Sequence, residues 1–188
     1  MLYRKFANRL EEFLKNEHRK ILLVNGARQI GKSYIIRYVG TQLFNNFVEI
    51  NLKADKEGQG IFQSVRSKED FYLQLGAIAG NKLGSKDDTL VFLDEIQSYP
   101  HLMTMLKFLN EDGKYRYIAS GSELGVALAQ TPSVPIGSIT IEQMYPLDFE
   151  EYLLAMGCGQ KTIDGVRDCY KKREPLNDSM HNYMLQQF

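Results

Sequence analysis

The stretch "NGARQIGKS", residues 25–33, decides the fold of this chain. It follows the apolar run Ile21-Leu22-Leu23-Val24 and leads into "YIIRYVG". Within it, Gly26-x-x-x-x-Gly31-Lys32-Ser33 satisfies the P-loop pattern at every position. A buried strand, a glycine-bounded loop and a helix, in that order, make a phosphate cradle. The glycines let backbone N–H groups turn inward and let an anion approach where a side chain would block it. A helix beginning near Gly31 adds free N–H groups and the positive end of its dipole. The candidate nucleotide-binding residues are therefore Gly26, Ala27, Arg28, Gln29, Ile30, Gly31, Lys32 and Ser33, with Tyr34 just inside the helix. Lys32 is suited to the β- and γ-phosphates, and the Ser33 hydroxyl to Mg²⁺.

Outward from the loop, strands and helices alternate. Short apolar runs at 20–24, 47–52, 89–93, 115–120 and 138–144 read as strands. Between and before them, apolar residues recur at helical spacing: Phe6, Leu10, Phe13 and Leu14, then Phe71, Leu75 and Ile78, then Leu102, Met105, Leu106 and Leu109. "SGSELGVALAQ" turns into a further short helix, and the polar residues 53–67 read as a loop. This alternation predicts an α/β domain around a mainly parallel sheet flanked by helices.

The run "TLVFLDEIQ" supplies the second chemical element. Its four apolar residues deliver Asp94 and Glu95 to the C-terminal edge of a buried strand, where ligands sit in open α/β sheets. Asp94 is a candidate Mg²⁺ ligand, and Glu95 a candidate base for activating water, catalytic together with Lys32. A third strand ends in Ser120-Gly121-Ser122. If it neighbours the Asp94 strand, Ser120 is the hydroxyl to orient water or sense the γ-phosphate. Ser122 reads equally as a helix N-cap. Arg28 either touches nucleotide or partner or packs outward. Tyr34, Tyr38 and Tyr99 serve as base-stacking residues or as core and rim.

Composition narrows the classes. Lys+Arg and Asp+Glu are both 23, so the formal net charge is zero and nothing favours a surface wholly devoted to nucleic acid. No apolar stretch approaches the roughly 20 residues of a membrane span, and the charged N-terminus is not a secretory signal. Cys158 and Cys169 read as free thiols, and His18, His101 and His181 stand too far apart to suggest a structural metal. The expected compartment is cytoplasmic.

After residue 144 the pattern changes to helices without strands. Asp148, with Glu151 three residues later, forms a capping-box start, and Gly157 the stop. Met180, Tyr183, Met184 and Phe188 make an apolar stripe that runs to the last residue, suggesting that the natural chain continues or that a partner or second copy covers this face. The expected organisation is a P-loop domain at 1–155 and the beginning of a helical C-terminal region at 156–188.

With these residues placed, the chain resembles a family of prokaryotic AAA+-type P-loop ATPases, in which a P-loop domain precedes a C-terminal region of uncharacterised role. The resemblance rests on "YRKFANRLEEFL", "GARQIGKSYIIRYVG", "NNFVEINL", "TLVFLDEIQSYPHLMTMLKFLNEDGKYRYIASGSELGVAL" and "SVPIGSITIEQMYPLDFEEYL", most of residues 3–155. It implies a five-stranded parallel sheet with one strand inserted between the P-loop strand and the Asp-Glu strand. It implies ATP as the nucleotide, where the residues alone leave ATP and GTP open, and it implies nucleic acid as a partner by analogy only. Family members run on beyond this length. Residues 140–188 offer no evident arginine finger. The leading expectation is a Mg²⁺-dependent ATPase working as a switch on a C-terminal effector region. The alternatives are a nucleotide-holding interaction module with little turnover and a phosphotransferase on a small metabolite.

Overall fold

The computed structural model describes residues 2–16, 20–122, 124 and 137–186. The expected helix and loop across 123 and 125–136, and Phe188, lie outside them. Contacts divide the chain into two compact units, Phe6–Tyr145 and a second that joins Met1–Lys5 to Pro146–Phe188.

The larger unit is built on a five-stranded sheet. The strands are β1 (Ile21–Asn25), β2 (Asn46–Asn51), β3 (Thr89–Asp94), β4 (Arg116–Gly121) and β5 (Ile139–Gln143), in the order β2-β3-β4-β1-β5. All four pairings are parallel. β4 thus separates the P-loop strand β1 from the Asp-Glu strand β3, as the resemblance implied. The strands read as continuous apolar runs because both faces are covered. Leu23, Val91, Leu93 and Ala119 point to one layer, with α4 (Lys68–Ala79) and α5 (Pro100–Asp112). Their neighbours Leu22, Val24, Leu90, Phe92 and Ile118 point to the other, with α1 (Lys5–Lys15) and α2 (Lys32–Leu43).

The segment 53–67, expected as a loop, holds the short helix α3 (Leu52–Glu57) and a 3-10 turn at Ile61–Ser64. Two polar side chains explain the difference. The Asn51 side chain accepts from Ala54 N at the start of α3. The Asp55 carboxylate then accepts from Ile61 N, Phe62 N and the Tyr99 hydroxyl. These bonds hold Leu52, Phe62 and Val65 in the core.

The second unit contains α6 (Phe149–Ala155), α7 (Gln160–Lys172) and α8 (Asp178–Leu185). The capping box forms in both directions, Glu151 N to Asp148 Oδ1 at 2.8 Å and Asp148 N to Glu151 Oε2 at 3.1 Å. Gly157 takes a left-handed φ of 87° just past α6. Of the expected apolar stripe, Met184 is buried with Leu153, Cys158 and Ile163, and Tyr183 packs against this cluster. No helix among the described residues is long and apolar enough to cross a membrane.

Candidate functional site

The parallel sheet brings the ends of β1, β3 and β4 to one edge. The register pairs Val24 with Ser120, Asn25 with Gly121, and Leu93 with Ala119. The loop after β1, the carboxylates ending β3 and the serines ending β4 therefore meet.

α2 begins at Lys32 with Gly31 as its cap residue, at φ 93° and ψ 20° and with no side-chain cap bond. That left-handed backbone suits glycine, and it leaves the first N–H groups of a 12-residue helix without a side-chain acceptor. Lys32 is buried, and its ammonium donates to Gly26 O at 2.9 Å and Ala27 O at 2.7 Å. Burial pushes the Lys32 ammonium below the ordinary lysine range, against the opposing pull of Glu95 and Asp94. Among the described residues the buried ammonium is hydrogen-bonded by loop carbonyls, beside a helix start without a side-chain cap, a cradle whose chemistry fits a phosphate group.

Asp94 is buried and fully engaged. Its Oδ2 accepts from the Ser33 hydroxyl at 2.7 Å, and its Oδ1 accepts from Glu95 N at 3.1 Å and from the Ser120 hydroxyl. The hydroxyl and carboxylate oxygens suited to a hard divalent cation are thus paired side by side. Ser120 is itself wholly buried against Asp94.

Glu95 sits in the left-handed region, at φ 56° and ψ 46°, which costs a residue with a side chain about 1–3 kcal/mol. Gln29 in the P-loop does the same at φ 63°. Gln97, on the 3-10 turn Ile96–Ser98, donates from Nε2 to Glu95 Oε2 and to Ser122 Oγ, the latter at 3.2 Å. Ser122 Oγ lies 3.3 Å from the same Glu95 oxygen. The hydroxyl beside Glu95 therefore belongs to Ser122, whereas the sequence favoured Ser120. Gln97 was not anticipated at all. Its only signal was a long amide two residues beyond the Asp-Glu pair.

A cleft of about 620 Å³ opens at this edge, lined by Arg28, Gln29, Lys53, Lys56, Glu95 and Gln97. Arg28 and Tyr34 are exposed, as is Tyr38. Tyr99 is instead core: it is buried, its hydroxyl donates to Asp55, and burial with that hydrogen bond raises its pKa to about 12.

A family model described as an AAA domain matches residues 18–153, well over half of the chain. A search of curated proteins finds no match to this sequence. Among solved structures, the Walker-type ATPase of Pyrococcus abyssi aligns with TM-score 0.57 and 15% identity, over 95% of this chain and 61% of that one. The Saccharomyces cerevisiae Hsp104–ADP complex aligns with TM-score 0.54 and 13% identity, over 82% of this chain and 23% of that one. Hsp104 with ATPγS and casein gives TM-score 0.56 at 13% identity, over 95% and 35%. At these identities the structures establish the fold, and this chain spans less than two thirds of each. The chain belongs to the AAA-domain family, P-loop proteins that bind nucleotide and act as ATPases.

Proposed function

We propose that this chain binds ATP with Mg²⁺ at the edge of β1, β3 and β4 and hydrolyses it, using the cycle as a switch. The observation that carries the reading is the meeting of Ser33 with Asp94 at 2.7 Å, which joins the P-loop to the Asp-Glu strand. Ser33 and, through water, Asp94 are the residues that would hold Mg²⁺, whose charge would offset that of the phosphates.

In this reading the Lys32 ammonium leaves the Gly26 and Ala27 carbonyls for the β- and γ-phosphate oxygens, and the first N–H groups of α2 bind the same charge. The Glu95 carboxylate takes a proton from water as the water oxygen bonds to the γ-phosphorus. The bond from that phosphorus to the β–γ bridging oxygen breaks, giving ADP and phosphate. Arg28, Gln29 and Tyr34 rim the nucleotide. The Ser120 hydroxyl holds Asp94 in place rather than meeting the water itself.

A route to the C-terminal effector region starts at the same loop. Met144 N donates to Asn25 O at 2.8 Å, and the Asn25 side-chain amide to Gln143 Oε1 at 2.8 Å. The residue that opens the P-loop is thereby tied to the end of β5, two residues before the second unit begins at Pro146. Residues 156–188 are proposed as the beginning of that effector region, with a protein or a second copy as its partner.

A second reading, a module that holds nucleotide with little turnover, is favoured by Arg167, the arginine of α7, being committed to Glu150 and Asp164. Calorimetric titration of ATP into the parent chain and Lys32→Ala tests the site itself. Binding in the parent and its loss in Lys32→Ala is the expected result. Equal affinity in both chains would contradict the assignment of the loop.

A further inference from the structure

Glu95 does not hang free at the end of β3. Two donors converge on one of its oxygens, Oε2: the Gln97 amide and the Ser122 hydroxyl, the latter at 3.3 Å. The Gln97 amide also donates to Ser122 Oγ at 3.2 Å, closing a triangle of three side chains from two strand ends. Both N–H groups of one amide are thereby used, one on each corner.

The other end of that amide is unusual. Gln97 Oε1 is buried and has no hydrogen-bond partner among the described residues. It packs against Gly121, where an added Cβ would lie 2.4 Å away. Turning the amide over would set its oxygen against the Glu95 carboxylate. The orphaned oxygen is the consequence of aiming the N–H groups at Glu95 and Ser122. The 3-10 turn that carries Gln97 is itself held from outside. Lys56 Nζ donates to Ser98 O at 3.0 Å, and the Tyr99 hydroxyl donates to Asp55 at 2.9 Å.

We propose that Gln97 is a positioning residue for Glu95: with Ser122 it fixes the carboxylate through Oε2, so that Oε1 is the oxygen that meets water. This rests on the reading of Glu95 as the base. The left-handed backbone at Glu95 sets the direction of the side chain, and the Gln97 amide fixes its last torsions. Because the donors share one oxygen, proton acceptance at the other is left open. Among the described residues Gln97 hydrogen-bonds neither Lys32 nor Ser33, so its removal is expected to spare nucleotide affinity.

Two measurements on the full chain test this. In the first, the side-chain amide signals of Gln97 are assigned in ¹⁵N-labelled protein by their loss in Gln97→Ala, then followed in Glu95→Ala and Ser122→Ala. Both amide protons are expected to shift in Glu95→Ala, and chiefly one in Ser122→Ala. Signals unmoved by Glu95→Ala would overturn the proposal, whether or not the chain turns over ATP. In the second, steady-state phosphate release is compared. Gln97→Ala is expected to lower kcat about tenfold with KM within about twofold of the parent, a loss confined to the proton-transfer step. In a Glu95→Gln background the same change should lower the rate no further. A full-rate Gln97→Ala beside a slow Glu95→Gln would overturn the positioning role alone, as would losses that multiply. Glu95→Gln at the parental rate would instead overturn the base reading, and the positioning role with it.

Discussion

In the sheet unit, Leu23, Phe92, Leu93 and Ile118 are completely buried between two helical layers. The described residues of the C-terminal unit gather only Leu153, Cys158, Ile163 and Met184 into a core and rely on charge around it. Arg4 lies 3.3 Å from Glu151, Lys5 2.7 Å from Asp148 and 2.5 Å from Glu150, and Arg167 pairs with Glu150. The sheet unit also carries ion pairs, Arg37 with Glu49 and Lys68 with Asp112, but sets them around a far larger apolar core, so the balance of forces differs. Apolar burial carries no titrating group and gives a stiff frame, which suits a site that must hold Glu95 and Gln29 in left-handed backbone. Apart from the buried Arg4–Glu151 pair, these ion pairs are partly exposed, contribute little each and respond to conditions.

Substitutions break or sharpen this contrast, the largest first. Phe92→Ala opens a cavity at the centre of the sheet and is expected to cost about 3–5 kcal/mol in denaturant unfolding. A loss below about 1 kcal/mol would mean that the frame is not set by this core. Glu151→Ala removes the buried partner of Arg4 and one half of the capping box, at a cost of about 1–3 kcal/mol. Its signature is local: faster hydrogen exchange across 149–185 with β1, β3 and β4 unchanged. Equal acceleration in those strands would deny that the units differ. Glu95→Gly relieves the left-handed backbone and is expected to be about 1 kcal/mol more stable than Glu95→Ala, which loses the same carboxylate bonds. Equal stability of the two variants would show that the turn is not strained.

Acid acts more gently, through Asp148. Burial alone would raise its pKa, but the Lys5 ammonium and the Glu151 N–H outweigh burial and hold it below its ordinary value of 3.8. A carboxylate depressed in this way contributes stability that is complete above pH 3.8 and is lost as pH falls through the lower, folded value. In the sheet unit Asp112, held down by Lys68, and Asp70, held down by the Arg66 N–H, are depressed as well, but a larger apolar core stands behind them, so exchange across 149–185 should quicken before the strands respond. Simultaneous loss in both units would contradict this order.

Legibility in the sequence followed the same division. The five strands and the loop were readable because buried parallel strands are continuous apolar runs and because the P-loop demands fixed residue types at fixed spacing. The meeting of Ser33 with Asp94 followed from strand order, which the family resemblance supplied. The α3 segment was hidden because its helix depends on Asp55, whose partner Tyr99 lies 44 positions along the chain. Gln97 and Ser122 are inconspicuous in the sequence for a related reason. Their importance lies in a triangle with Glu95 across two strand ends, and sequence spacing does not record which hydroxyl faces which carboxylate. The ion pairs of Arg4 and Lys5 with residues 148–151 are likewise contacts between the two ends of the chain.

Proposed ATP hydrolysis at the edge of β1, β3 and β4, with Glu95 as base, stands or falls on phosphate release from the parent chain and Glu95→Gln, with ATP and GTP, with and without Mg²⁺. Mg²⁺-dependent release with ATP is expected in the parent, with a fall of about 10²-fold or more in Glu95→Gln at unchanged ATP affinity. Release by Glu95→Gln at the parental rate would contradict it.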